Sequence, residues 1–532
     1  GDPRACTPCD QQTQTCPTRN PMAAYSIHLM LVSLNISDSP LGYQAATGPN
    51  VGVSVLYNEK DSWQPAMMNY SNFGPKWTCS WTSYVQEVTD NNPDDGTSIE
   101  MHWPGGGGYQ FVLGATKPDG SRESQRQPYM NAIMEKTAVG TYALRFGDGS
   151  YWTFVHDDGA SSERKLFLSQ MVDANGYALT LFYEQVQDGA LLGSRITEIV
   201  DASGWTTTFS YLTDHPFKIS RITDPFGRVA NFGYDSILRL TNLTDPAGIV
   251  SAFGYEAQTD IINSLTTPYG TTAFSRGVEG TGETRREWLV VTDPLGDVER
   301  VEFVHGSYAP TPITNMVGGA TGEQGTVPTL ASNELAFENN YLQFRNSYYW
   351  DKKTWKTHGL DYNKAAIYHW LHGRAETGGF STRSRLLESI KRPYENRVWF
   401  RYAGQVNSVG EDGITITSPA IVARSIKVDG VYQTQAWRTS FNAQNNPTRS
   451  TDPLGRMMDY VYAANGEDVI EVRQVKSLNP YEYVTLGRAT YNEFHQPLTM
   501  TDAQGLTTRI EYNADHQPWR VTSPRGDVTR QG

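Results

Sequence analysis

The residues best placed to do chemistry in this chain are aspartates. Asp224 and Asp245 each open an Asp-Pro-x-Gly motif, 21 residues apart, within "RITDPFGRVANFGYDSILRLTNLTDPAG" (221–248). Two carboxylates that share one proton can run peptide hydrolysis, since each raises the other's cost of ionising. The same four residues also make a type I turn: Asp accepts hydrogen bonds at the first position, Pro fixes φ at the second, and Gly suits the fourth. The motif recurs far from this pair, at "TDPLG" 292–296 and again at 451–455. The turn reading therefore takes the aspartates, and the chain is expected to be no enzyme.

Other candidates are weaker. His369 and His372 in "HWLH" have a spacing that could put two metal ligands on one helix face. No carboxylate follows at motif spacing, so they read as partly buried histidines, and no metal or cofactor is expected. No catalytic triad, phosphate loop or dinucleotide fingerprint appears. Cys6, Cys9, Cys16 and Cys79 are the four cysteines, three of them in "ACTPCDQQTQTC". Cys6 and Cys9 have the C-x-x-C spacing of a zinc site, but an even count without a second such pair favours disulfides in an oxidising compartment. "RGD" at 525–527 falls in a repeat turn, and Asn35, Asn69 and Asn242 begin sequons that matter only in a source that glycosylates. The aromatic-dense "NNYLQFRNSYYWDKKTW" offers Tyr348, Tyr349, Trp350 and Trp355 as a binding patch, because exposed rings stack on sugars. The competing reading is that these rings seal the segment against a sheet.

The elements that position these residues follow one rule. Asp173, Asp201, Asp224, Asp245, Asp452 and Asp502 are each followed ten residues later by Tyr183, Tyr211, Tyr234, Tyr255, Tyr462 and Tyr512. Arg392 and Tyr402 keep the frame, and Asp293 leads to Phe303. Two residues before each aromatic stands Leu181, Phe209, Phe232, Phe253, Tyr460, Ile510, Phe400 or Val301. Between turn and tyrosine the pattern alternates, as in "GRVANFGYD", which is a strand. Each unit of 21 to 28 residues reads as a β-hairpin plus a turn to the next. One hairpin is marginal in water, and stacked hairpins stabilise each other.

"TDPFGRVANFGYDSILRLTNLTDPAG" resembles the tyrosine-aspartate (YD) repeat of Rhs proteins, toxin-complex C components and teneurins. "VSVLYNEK" (53–60) and "SNFGPKWTCSWTSYVQE" (71–87) resemble the segment that precedes the repeats in bacterial Rhs proteins, with Lys76 in place of a glycine. The resemblance covers roughly residue 51 onward. It implies an all-β fold: a long curved antiparallel sheet of tandem hairpins that spirals into a hollow shell. It also implies a secreted or cell-surface protein that encapsulates a C-terminal toxin cargo, with the autoprotease of such proteins lying beyond residue 532. The alternative is an extracellular protein whose aromatic patches bind a glycan or a protein partner.

Composition agrees with neither a nucleic-acid binder nor a membrane span. The chain of 532 residues carries 57 acidic against 44 basic residues, a net charge of -13, without the basic face that nucleic-acid binders carry. No run of 18 apolar residues exists, and "YSIHLMLVSLNI" reads as a strand. The expected organisation is a Cys-bearing lead-in over 1–50, a pre-repeat β region over 51–165, YD repeats over 166–303, an aromatic-rich insert over 304–385, and YD repeats over 386–532. In the insert, "DYNKAAIYHWLHG" reads as a short helix or another hairpin. The last array is expected to be truncated, its partners being the cargo or further shell segments.

Overall fold

A computed structural model describes residues 22–88, 97–159, 164–189, 191–306, 327–373, 383–514 and 516–530. Cys6, Cys9 and Cys16 lie outside the described residues. The chain is all-β, a long antiparallel sheet of hairpins. Its described residues divide into two compact units, one formed by those from 22 to 275 with 291–297, the other by 276–290 and those from 298 onward.

The first unit begins with a four-stranded antiparallel sheet, Ala24–His28, Ser33–Tyr43, Val51–Asn58 and Trp77–Cys79, in sequence order. The apolar stretch read as one strand is thus two, joined by a turn that places Val32 at φ 48°. Val51–Asn58 buries every second residue, which is the period of a sheet with one covered face. Strands from Tyr84–Val88 to Lys165–Val172 then pair in sequence. Lys165–Val172 forks. One edge meets Tyr151–Asp157, while the other meets Tyr84–Val88 through Leu166↔Val85 and Ala178–Asp188 through Met171↔Leu179. These eight strands therefore form a local circuit, from which the hairpin strip sets out without closing.

The turns opened by aspartate are built alike. Asp224 Oδ1 accepts from the N–H groups of Phe226 (3.0 Å) and Arg228 (2.9 Å), and Gly227 takes φ 76°. Asp173, Asp201, Asp245, Asp293, Asp452 and Asp502 each hold the same two amides, two and four residues on. A carboxylate on two amides fixes the hairpin's reversal, and glycine meets the positive φ without strain. The turn at the other end of the hairpin, opened by Asp235, works the same way with Leu238 at φ 65°.

The strip of the first unit has one covered face. Leu181, Phe209, Phe232 and Phe253 are buried, as are Ile199, Ile222, Leu243 and Leu265 opposite them. The four-stranded sheet meets this face: Ser251 Oγ donates to Asp38 Oδ2 at 2.8 Å, and Tyr43 Oη to Asp201 at 3.0 Å. Phe73 packs on Phe232 and Trp77 on Phe253, each with centroids 4.7 Å apart. Full burial of one such phenylalanine contributes about 2 to 3 kcal/mol.

In the second unit, "DYNKAAIYHWLHG" is a single 3-10 turn, Tyr362–Lys364, and then the strand Ala366–His372. A helix not expected from the sequence, Lys352–His358, precedes it, capped by Asp351, which accepts from Thr354 N–H at 2.7 Å. The strand pairs with Asn346–Trp350 and Arg383–Lys391. Hairpins then continue from Val398–Tyr402 to Val528–Arg530.

Candidate binding face of the second hairpin array

The tyrosines of the repeat do one thing. Tyr211 Oη donates to Ile196 O (2.6 Å), Tyr234 to Ile219 O (2.6 Å) and Tyr255 to Leu240 O (2.7 Å). Tyr183, Tyr462 and Tyr512 clasp Leu168 O, Pro447 O and Pro497 O at 2.7, 2.9 and 3.0 Å. In all six the reach is 15 residues, so each phenol ties its hairpin to the one before. Burial raises the pKa of each, most strongly for Tyr183 and Tyr234, so all six stay protonated donors.

In the first array the clasped carbonyls form a row whose amides also need partners. The row lies beside irregularities in strand pairing, such as Phe182/Tyr183 and Ser210/Tyr211. The segment 57–83 answers it. Leu168 N–H donates to Ser83 O (3.0 Å), Ile196 to Ser71 Oγ (2.8 Å), Ile219 to Asn72 O (3.2 Å) and Ile262 to Tyr57 Oη (3.2 Å). Residues 69–78 thus act as a strap. Tyr70 and Asn72 make parallel bridges to Ser194 and Lys218, and Trp77 Nε1 donates to Tyr255 Oη at 2.9 Å.

Among the described residues, the second array carries the equivalent apolar face without such a cover. Register places Met458, Tyr460, Val472, Met500, Ile510 and Val521 on it. Met500 is 53% exposed and Trp519, beside Val521, 37%, whereas Phe232 is 5% exposed. At the near end of the face a groove of 290 Å³ opens among Phe400, Val422, Thr439, Phe441, Pro447 and Tyr460. Behind Tyr460 and Val472 the opposite face carries ion pairs. Arg449 grips Asp459 at 2.5 and 2.7 Å, and Tyr481 donates to the same carboxylate at 2.6 Å. Glu471 takes Arg473, Thr485 and Arg488, and its carboxyl is pulled down to about 2, first by the Arg473 bond. A contiguous exposed apolar face is the kind of surface that marks an interaction site.

The aromatic patch expected at Tyr348, Tyr349, Trp350 and Trp355 is corrected. Tyr348 and Trp350 are 1% and 0% exposed, in a core with Val304, Tyr362 and Ile367 on which Trp355 packs. Tyr349 donates to Glu299 at 2.7 Å. Tyr348 and Trp350 close the insert onto its own strands, while Tyr349 and Trp355 stay half-buried. His369 and His372 are buried on one strand: His369 Nε2 lies 3.0 Å from Glu388 Oε2, and burial takes His372 down to about 3. Among the described residues no group of three potential metal ligands forms. Cys79, set among the disulfide candidates, is a free buried thiol whose Sγ lies 3.2 Å from Thr82 Oγ1.

Sequence reasoning missed the clasped row and the strap. The signal was present: the clasped residue lies five before the turn position, as Ile196 before Asp201 and Pro447 before Asp452.

No family model matches the chain, and no curated protein does. Among solved structures it is similar to the crystal structure of TcdB2-TccC3-TEV, at 10% identity over 92% of this chain and 23% of that one, with TM-score 0.29. It is also similar to the N-terminal domain of effector protein SpvB from Salmonella typhimurium, at 9% identity over 46% of this chain and 95% of that one, with TM-score 0.23. A Photorhabdus luminescens Tc holotoxin pore matches at 10% identity over 86% of this chain and 30% of that one, with TM-score 0.17. The chain spans less than a third of the first and last of these. With TM-scores this low, the likenesses carry no argument about what it does.

Proposed function

We propose that this chain is a non-catalytic segment of a secreted β-hairpin shell, and that the bare apolar face of its second array holds a polypeptide cargo. One observation carries this reading. The face that the chain covers with its own sheet in the first array is left open by the described residues, in the same register, over the second. Leaving residues such as Met500 and Trp519 in water forgoes about 25 cal/mol for each Å² of apolar surface, a loss that an occupant recovers. The resemblance of the repeat to Rhs proteins supplies the class of occupant. The glycan alternative keeps only the half-buried rings of Tyr349 and Trp355, since Tyr348 and Trp350 are buried.

The test is mass analysis of the native protein, intact and then denatured. A second polypeptide that leaves only under denaturant is expected. Replacing Met458 and Ile510 by Glu should release it while the far-UV circular dichroism stays unchanged. A native particle that contains this chain with no retained polypeptide overturns the proposal.

A further inference from the structure

The residue opposite each repeat tyrosine differs between the two arrays in a way that bears on how an occupant is held. In the first array Tyr183, Tyr211, Tyr234 and Tyr255 face Ile196, Ile219, Leu240 and Ile262. In the second, Tyr402, Phe441, Tyr491 and Tyr512 face Pro419, Pro447, Pro497 and Pro518, while Tyr462 faces Val469. Each pairing sits at a register shift, so the residue lies outside the regular ladder.

Backbone accounting explains the contrast. At Ile196, Ile219 and Leu240 in the first array, and at Pro447, Val469 and Pro497 in the second, the carbonyl of this residue is taken by a later tyrosine. Its N–H is left over, and a buried N–H without a partner costs about 1 to 3 kcal/mol. In the first array Ser71 Oγ, Asn72 O and Tyr57 Oη accept Ile196, Ile219 and Ile262. Proline has no N–H to satisfy. At four of five places in the second array, proline removes the main-chain donor that stands where Ile196, Ile219 and Ile262 donate in the first.

We infer that the second array holds its occupant through side chains alone, without main-chain strand pairing. The surface accepts apolar side chains along Met458, Tyr460, Val472 and Ile510 and offers no row of amides to align a strand. Such a surface is indifferent to the sequence and register of the polypeptide on it, where a strap of fixed sequence is not. This rests on the cargo reading for its occupant, but the prolines can be tested without any cargo.

The probe is a fluorescent peptide of the strap's own sequence, residues 69–78, added in trans to the full chain, with cross-linking to locate it. The wild-type second array is expected not to hold it. A variant with Pro447→Ile, Pro497→Ile and Pro518→Ile should bind it there at least tenfold more tightly, and the matching triple alanine variant serves if the isoleucines fail to fold. Equal binding by wild type and folded variant overturns the inference, whether both bind or neither does. If mass analysis finds no retained polypeptide, the cargo reading fails while the peptide comparison still decides the role of the prolines.

Discussion

Tyr234 Oη lies 2.6 Å from the carbonyl oxygen of Ile219 and donates to it across two neighbouring hairpins. The ring stays in place in Tyr234→Phe, but a buried carbonyl loses its donor. The expected cost is about 1 to 2 kcal/mol, read as a lower urea midpoint at unchanged m-value. Tyr512→Phe removes the same bond where the ring is half exposed, and is expected to cost less.

Asp224→Ala should be the more damaging of two equivalent turn substitutions. Asp224 is 4% exposed, holds two amides and accepts from Arg228 Nε at 2.6 Å. Asp502 holds the same two amides in an exposed turn. Losses of about 2 kcal/mol at Asp224 and about 1 kcal/mol or less at Asp502 are expected from chemical denaturation.

Gly193→Ala should dislodge the strap. A Cβ there would lie 2.0 Å from Asn69 O and 2.7 Å from Phe217 Cζ, so backbone must move. A loss of about 3 kcal/mol is expected, with amide exchange rising over residues 69–78. Gly227 has φ 76° but open space around its Cβ, and Gly227→Ala should cost about 1 kcal/mol through backbone strain alone.

Asp38 gives the first unit a pH dependence. Burial raises its carboxyl from 3.8 to about 6, against the Ser251 hydrogen bond. Here the folded state holds the proton more tightly than the unfolded chain. Stability is therefore gained as pH falls from about 6 to about 4, by about 3 kcal/mol at most. His102 acts in the opposite sense, since burial lowers it to about 4 and folding then loses stability as pH falls from 6.5. The difference between wild type and Asp38→Asn across pH 4 to 7 isolates the Asp38 contribution, and a flat difference would contradict it.

Trp350→Ala is expected to destabilise by about 3 to 5 kcal/mol, as a large cavity does. Trp350 is 0% exposed and its Nε1 donates to Asp361 O at 2.9 Å. Sugar arrays should show no binding that depends on this residue.

The hairpins were legible because their determinants are local. Asp224, its amides and Gly227 lie within four residues, and Tyr234 follows on the next strand. What covers the strip was not, because residues 24–79 meet residues more than 120 positions away, as Ser71 meets Ile196. Neither face could be chosen from the alternation of Val229–Tyr234, since the cover that decides it comes from elsewhere. The rings of 341–355 were ambiguous for the same reason: composition sets how many aromatics there are, and only packing sets which side of water they occupy. The proline row was visible in the sequence but had no meaning until the tyrosine clasp showed which carbonyl was used and which amide was left.

The fork at Lys165–Val172 gives the sheet a polarity like that of a polymer with one blocked end. Two partners already occupy that strand's second edge, so hairpins can be added in one direction only. Because each clasp reaches just one hairpin back, duplication or loss of a unit beyond the hairpins that residues 57–83 hold would change the strip's length without redesigning its origin. A gene for such a sheet can vary in size by recombination between its own repeats, with the starting circuit inherited intact.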